Sequence, residues 1–281
     1  MVEFAARAMA AHEQRPEDDS LSDAFGTYRP NMLQRALIGL ARATPLHRGR
    51  LRHITSQWIY RMGRPLDIER LGCNFRVGNR DNLIEYGLLL NPGYNQSEIE
   101  FLSAPLGPGS VALDIGSNIG LYTLPLAKTG ARVIAIDANP VMAAQLRFNL
   151  RASGMSDADV ANVAVGDSDG MGNLEIRRDD VAMVNVVADE AGGAIPIRRL
   201  DSVLAEMGVT RVDVLKIDIE GFEDKALAPY LAQAQGDMIP RRIVIERAGP
   251  QDYPACFEQF ERLGFTLHGR TRNNSMYVRP E

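Results

Sequence analysis

Cysteine is scarce: Cys73 and Cys256 are the only two in 281 residues. Two thiols make no disulfide framework, and no Cys/His spacing suits a metal, so a reducing compartment is expected. Long apolar runs are missing as well. None approaches the ~18 residues needed to span a bilayer, and the N-terminus carries no apolar signal-peptide core. The expectation is a cytoplasmic protein. The four histidines, His12, His47, His53 and His268, fall in the N-terminal region and near the last strand. None is placed like a catalytic base. No internal repeat is visible.

One segment lacks acidic residues. Arg29–Arg64 holds eight arginines (29, 35, 42, 48, 50, 52, 61 and 64) and no Asp or Glu. The whole chain has 31 basic and 36 acidic residues, so the remainder carries 23 against 36, a balance of −13. Two helical patterns occupy the segment, separated by Pro45. One has Leu33, Leu37 and Leu40 on a face; the other has Leu51, Ile54, Trp58, Ile59 and Met62 at a 3.6-residue period. The plainer reading is a helical pair that packs on the acidic main domain and complements its charge. The functional reading is a basic surface for an anionic substrate or for peripheral membrane contact. No nucleic-acid partner is expected, because aromatics are sparse here and no recognition motif appears. Ahead of it, Met1–Ala11 suits a short helix, and polar His12–Asp23 is expected to be mobile. The expected division is a tail over 1–28, a helical region with a small hairpin over 29–95, and a main domain over 96–281.

Within that region Leu66–Val77 alternates around Gly72, as a hairpin does. Asn79–Asn95 reads as loop, and a helix covers Ser97–Leu102. Strands and helices then alternate, which implies an α/β fold with a mostly parallel twisted sheet and helices on both faces. Strands are expected at Val111–Ile115, Arg132–Ile136, Val160–Val165, Val212–Ile217 and Arg242–Ile245. Helices follow at 119–128, after Asn139-Pro140, at Asp201–Met207 and at Pro254–Leu263. Gly172–Ala188 reads as an inserted hairpin, and Phe265–His268 with Met276–Arg279 as a closing antiparallel pair.

The first of these strands runs into Gly116-Ser-Asn-Ile-Gly120. Glycines there let a backbone approach a ligand closely, and free N–H groups at the next helix start are expected to face it. A dinucleotide turn needs G-x-G-x-x-G, but Asn118 and Leu121 stand in the second and third glycine positions. Asp114 brings a carboxylate near the turn, which suits a cation better than a diphosphate. S-adenosylmethionine carries an ammonium and a sulfonium. The next strand ends in Asp137, placed to accept from both ribose hydroxyls. The candidate cofactor residues are Asp114, Gly116, Asn118, Gly120, Asp137, Asn139 and, beyond the third strand near the adenine position, Asp167. Asp167 also fits an ordinary turn.

Leu113-Asp-Ile-Gly-Ser-Asn-Ile-Gly-Leu-Tyr-Thr-Leu124, followed by Val212-Asp-Val-Leu-Lys-Ile-Asp-Ile-Glu-Gly-Phe-Glu223, resembles the FkbM-type methyltransferases over roughly Asn82 to the C-terminus. The second motif is the more specific. The resemblance implies a Rossmann-like class I methyltransferase fold, S-adenosylmethionine as cofactor, and O-methylation of a sugar, glycan or secondary-metabolite hydroxyl. One departure is Asp137-Ala-Asn139, where the family frequently has a Glu-Pro pair.

Asp218, Glu220 and Glu246 lie at or just past the ends of the last two parallel strands, where doubly wound sheets bind ligands. Methyl transfer to a hydroxyl needs alignment and removal of a proton, and a carboxylate crowded by like charges serves as base. Asp218 ranks first, then Glu220. The alternative is that Asp218 caps the helix near Gly221. Three carboxylates can also hold Mg²⁺ or Ca²⁺, although no metal is expected. Lys216, two residues before Asp218, points to the same side of its strand and can pair with a carboxylate or orient a substrate. Two other functions fit the same fold: a catalytically silent cofactor-binding or scaffolding protein, and an N-methyltransferase.

Overall fold

The computed structural model describes residues 19–78, 82–155, 158–176, 184–188, 194–246 and 253–280. The helix expected over 1–11 and most of the polar tail lie outside these.

Short apolar runs build the centre. Strands β3 (Val111–Ile115), β4 (Arg132–Ile136), β10 (Val214–Ile217) and β11 (Arg242–Glu246) are parallel and hydrogen-bonded neighbours in the order β11-β10-β3-β4. Successive side chains face opposite sides of a strand, so each strand feeds two cores. Ala112, Val133, Val214 and Val244 enter one; Leu113, Ile134, Leu215 and Ile243 enter the other. Helices cover both. On the first side lie α4 (Gln96–Ser103), α5 (Thr123–Ala127) and α6 (Pro140–Ala152); on the second lie α7 (Leu200–Glu206), α8 (Glu223–Gln233) and α9 (Pro254–Arg262). The sheet is completed by β5 (Ala158–Ala161) beside β4 and by antiparallel β12 (Thr266–Arg270) and β13 (Asn274–Val278) beyond β11. The chain leaves β3 toward β4 and later returns to β10 on its other side, so the topology switches between β3 and β10. That is where such sheets open a ligand crevice.

Three expectations change. The strand expected over 160–165 is two strands, β5 in the main sheet and β6 (Ala164–Gly166) in a separate one. Edge strand β5 is only half-buried, and Asn162 between the two donates to the Asp137 carbonyl at 2.8 Å, turning the chain away. The second sheet has the order β6-β9-β7-β8, with β7 (Gly170–Ile176), β8 (Val184–Ala188) and β9 (Ile195–Arg199); it contains the expected hairpin. The helix expected from 119 begins at Thr123, which puts Pro125 in its first turn, where a missing N–H costs nothing. The loop expected over 79–95 contains α3 (Leu83–Leu90), started by the Asn82 side chain, which accepts from the Ile84 N–H at 3.0 Å. Its Leu88, Leu89 and Leu90 are buried.

The N-terminal region carries α1 (Met32–Ala43), α2 (Gly49–Arg61) and the expected hairpin of β1 (Leu66–Arg70) and β2 (Cys73–Val77). Its anchor is ionic. Arg76 and Asp67 are both buried and pair through two bonds of 2.7 and 2.9 Å. The guanidinium lies between the rings of Tyr28 and Phe148 and donates to the carbonyls of Ser20, Asp23 and Ala24. Burial pushes the Asp67 carboxyl up, but Arg76 and the N–H groups of Tyr28 and Gly26 outweigh it and hold it below its ordinary value.

Removing one partner of such a pair leaves a buried charge, so Arg76→Met should destabilise the fold by about 3–5 kcal/mol. Pairing it with Asp67→Leu should recover most of that, as measured by urea unfolding. Because the Asp67 pKa is depressed, its contribution is present above about pH 4, the unfolded value, and is lost as pH falls through the lowered folded one. Arg76→Met should therefore flatten the acid limb of the stability profile.

Candidate active site

The turn after β3 is shaped by steric contact. Gly116 has φ +76°, and a Cβ on it would lie 1.9 Å from the Asp218 carbonyl oxygen. Its close approach is thus to the end of β10. Gly120, at φ +99°, is excluded from other residue types by Leu124 and Leu146, which a Cβ would meet at 2.4 and 2.5 Å. The turn's N–H groups are paired within the fold. Those of Gly116 and Ser117 bond to the Ile136 carbonyl, Asn118 to Asp137, Ile119 to the Asn118 side chain, and Gly120 to the Ser117 carbonyl.

Asp137 ties this turn to the next one. One oxygen accepts the Asn118 N–H at 2.6 Å, the other the Asn139 N–H at 2.8 Å. Burial pushes its carboxyl above the ordinary value, partly offset by those two donors. Asn139 caps α6 through the Val141 N–H, with Pro140 next. Asn82 donates to the Asn118 side chain at 2.9 Å, and Asn149 to the Ile119 carbonyl at 2.9 Å. Both asparagines are fully buried.

Across the cleft stand the acids. Asp218, Glu223 and Glu246 each place a carboxylate oxygen within 4.8 Å of the others. This is the described group that could hold a cation, and it contains Glu223 where the sequence reading had Glu220. Both Glu223 oxygens already accept backbone N–H groups, from Ile219 at 2.8 Å and Gly221 at 2.9 Å. Glu223 therefore closes the loop that the sequence reading left to an Asp218 cap; α8 starts without a side-chain cap. Glu220 sits in the left-handed region at φ +57°, a strained conformation for a residue with a Cβ. Glu246 is pushed up to about 7, first by burial and then by the charges of Asp218, Glu220 and Glu223. Buried Lys216 lies beneath. Its ammonium donates to the Gly116 carbonyl at 2.8 Å, stands 3.6 Å from Asp114 and 4.0 Å from Asp218, and faces the Tyr122 ring.

Seven of the ten candidate residues line one cleft: Gly116, Asn118, Asp137, Asn139, Asp218, Glu220 and Glu246. Three do not. Asp114 is fully buried under the turn, held by the Thr123 hydroxyl at 2.5 Å and by Lys216. Gly120 is packed against leucines. Asp167 is exposed at the start of the β6–β7 turn, with Ser168 on its side chain and Arg199 on its carbonyl. It lies past the end of β6, whose Ala164 and Val165 line the cleft. The cleft wall also takes Leu83, Ile84 and Tyr94 from the region read as loop, and Met142, Val163 and Val165. The Leu83-Ile84 pair behind an Asn cap was the available signal. Two polar atoms at the turn, Asp114 Oδ1 and Ser117 Oγ, are buried without a hydrogen-bond partner.

The family model of the methyltransferase FkbM domain matches residues 114–270. Among curated relatives, AMB antimetabolite synthetase AmbE of Pseudomonas aeruginosa is 27% identical over 239 residues, 62% of this chain and 11% of that protein. The 31-O-demethyl-FK506 methyltransferase FkbM of Streptomyces tacrolimicus is 30% identical over 156 residues, 44% of this chain and 60% of that protein. The 23S rRNA (uracil(1939)-C(5))-methyltransferase RlmD of Shewanella sediminis is 33% identical over 90 residues, 32% of this chain and 19% of that protein. The chain thus spans less than two thirds of the length of each.

Gly116→Ala should destabilise by about 2–4 kcal/mol, because the left-handed backbone and the Asp218 carbonyl both oppose a Cβ. Gly107→Ala meets no atom within 4 Å and no positive φ, so its urea midpoint should match wild type.

Proposed function

The chain belongs to the FkbM methyltransferase domain family, and from that premise we propose that it methylates a hydroxyl oxygen of a sugar, glycan or secondary metabolite, with S-adenosylmethionine as donor. The observation that carries this reading is the single cleft with Asp137 on one wall and Asp218 and Glu246 on the other. The residues fit the cofactor. Each Asp137 oxygen accepts one backbone N–H and keeps a lone pair for a ribose hydroxyl. Apolar Ile84, Met142, Val163 and Val165 offer a wall for an aromatic base. When bound, S-adenosylmethionine supplies an electrophilic methyl on its sulfonium.

The chain must align the acceptor and take its proton. Sequence position favoured Asp218 for the second task; the geometry favours Glu246. Its pKa of about 7 lies near the operating pH, where a general base combines ionisation with affinity for a proton. Tyr253 Oη, 3.4 Å away, steadies one of its oxygens. Asp218, with Lys216 4.0 Å away, is the acceptor's positioning partner. With the donor bound, Asp218 would hold the acceptor hydroxyl toward the methyl group and Glu246 would take the hydroxyl proton.

Asp137→Ala should weaken S-adenosylmethionine binding about tenfold or more, the loss of a charge-assisted bond. Calorimetry showing unchanged affinity in the folded variant would remove Asp137 from the site. Incubation with methyl-labelled donor and a metabolite or glycan extract, with 23S rRNA in parallel, identifies the acceptor by mass; label in the rRNA alone would overturn the small-molecule reading.

Glu246 accepts a proton only when ionised, so wild-type kcat should rise with pH through about 7 and then level. Glu246→Gln should lower kcat by ~10²–10⁴-fold and abolish that limb, with donor affinity within a few-fold. Asp218→Asn should keep the limb. The reverse pattern would make Asp218 the base.

A further inference from the structure

The two N-terminal helices turn their apolar stripes outward. Among the described residues, nine large apolar side chains are exposed, and six of them, Met32, Leu33, Leu40, Leu51, Ile54 and Trp58, lie on α1 and α2. Met32 is 86% exposed, Leu33 71% and Trp58 58%. Leu33, Leu40, Ile54 and Trp58 border an open groove between the helices, with Ala36, Leu37 and Leu46 also in its lining. The inward faces are mixed: Gln34, Ile38 and Ala41 on α1, and Thr55, Ser56, Ile59 and Tyr60 on α2. Polar anchors lock that rotation. Gln34 Nε2 donates to the carbonyls of Ile59 and Gly63, both at 3.0 Å, while Gln34 and Asn31 form a reciprocal capping box. Arg42 reaches the Leu89 carbonyl at 3.1 Å. The outward stripe is therefore a built feature of the fold.

We propose that this face docks peripherally on an anionic membrane surface. The segment that carries it has one sign of charge: eight arginines over 29–64 and no acid. If they served to complement the acidic main domain, ion pairs across that boundary would be expected. Among the described residues none of the eight forms a salt bridge. Arg29, Arg35, Arg48, Arg50, Arg61 and Arg64 are exposed. A helix with an apolar face and arginines beside it lies in the plane of a bilayer, its apolar side chains at the acyl boundary and its cations on the headgroups. Trp58, with the Arg61 guanidinium 5.7 Å from its ring centroid, has the amphipathic character of an interfacial anchor. Helices of 12 and 13 residues are too short to cross a bilayer, and no described helix is long and apolar enough to do so. A second copy of the chain fits the face less well, because a symmetric contact would bring two arginine rims together. The helices that carry this face pack through their other side on α3, whose Leu83 and Ile84 line the cleft.

Trp58 is the only tryptophan in the chain, so its emission reports on this face alone. The experiment is titration of the full chain with vesicles of pure phosphatidylcholine and with vesicles containing phosphatidylglycerol. Tryptophan emission and co-sedimentation are both read, at about 0.1 M and about 1 M salt, where screening shortens from about 10 to about 3 Å. The expected result is a blue shift and sedimentation with anionic vesicles only, lost at high salt. Arg48→Gln/Arg50→Gln/Arg52→Gln should weaken partitioning at least about tenfold. Leu33→Gln/Ile54→Gln, which keeps Trp58, should abolish the shift. Unchanged emission without sedimentation on anionic vesicles overturns the proposal, as does equal, salt-independent binding to both vesicle types. A blue shift that appears without lipid as protein concentration rises, with dimers in sedimentation velocity, assigns the face to a second copy and also overturns it. The lipid and salt dependence of the wild-type chain decides the matter even where a variant fails to fold.

Discussion

A Cβ on Gly116 would stand 1.9 Å from the Asp218 carbonyl oxygen, and much of the site depends on that closeness. It presses the turn after β3 against the end of β10, where the sheet's topology switches. Gly116 also donates to the Ile136 carbonyl at 2.8 Å, so the ends of β3, β4 and β10 meet at one residue. Lys216 reinforces the junction from below by donating to the Gly116 carbonyl at 2.8 Å. A backbone with no side chain here lets the three strand ends carry Asp137 and Asp218 to opposite walls of one cleft.

The cleft concentrates negative charge at one end. Asp218, Glu220, Glu223 and Glu246 gather at one end, and their mutual field, added to burial, pushes the Glu246 carboxyl up to about 7. Lys216 is the cation in contact, and it is shared between Asp114 and Asp218. Glu223 is committed to backbone N–H groups of the loop. The arrangement separates tasks among like residues: one carboxylate holds the loop, one is steadied by a lysine, and one keeps affinity for a proton. Different environments acting on identical chemistry produce such divisions.

The N-terminal region shows how polar contacts can outrank apolar periodicity. The stripe of Leu51, Ile54 and Trp58 has the helical spacing that normally turns inward. Here Gln34 bonds to the Ile59 carbonyl across the helix pair and Arg42 to the Leu89 carbonyl of α3, and satisfying those groups fixes the rotation with the stripe outside. Buried Arg76 and Asp67 similarly gather the 20–28 segment, the hairpin and α6 about one ion pair.

The sequence by itself determined the α/β architecture, because short, mostly apolar runs such as Val111–Ile115 and Val212–Ile217 alternate with helical patterns, as parallel strands and their crossover helices do. It also determined which strand ends carry acids, since Asp137, Asp218 and Glu246 follow those runs directly. Local rules were enough for the Asn139-Pro140 cap. Tertiary structure decided what each acid meets. Asp114 goes inward to Thr123 and Lys216, and Asp167 lies past the end of β6, because side-chain surroundings depend on strands far apart in sequence. It decided that Glu223 closes the loop expected of Asp218, by accepting the N–H groups of Ile219 and Gly221. It also decided the outward face of α1 and α2. Periodicity finds an apolar stripe, but which way the stripe turns depends on partners that no local pattern names.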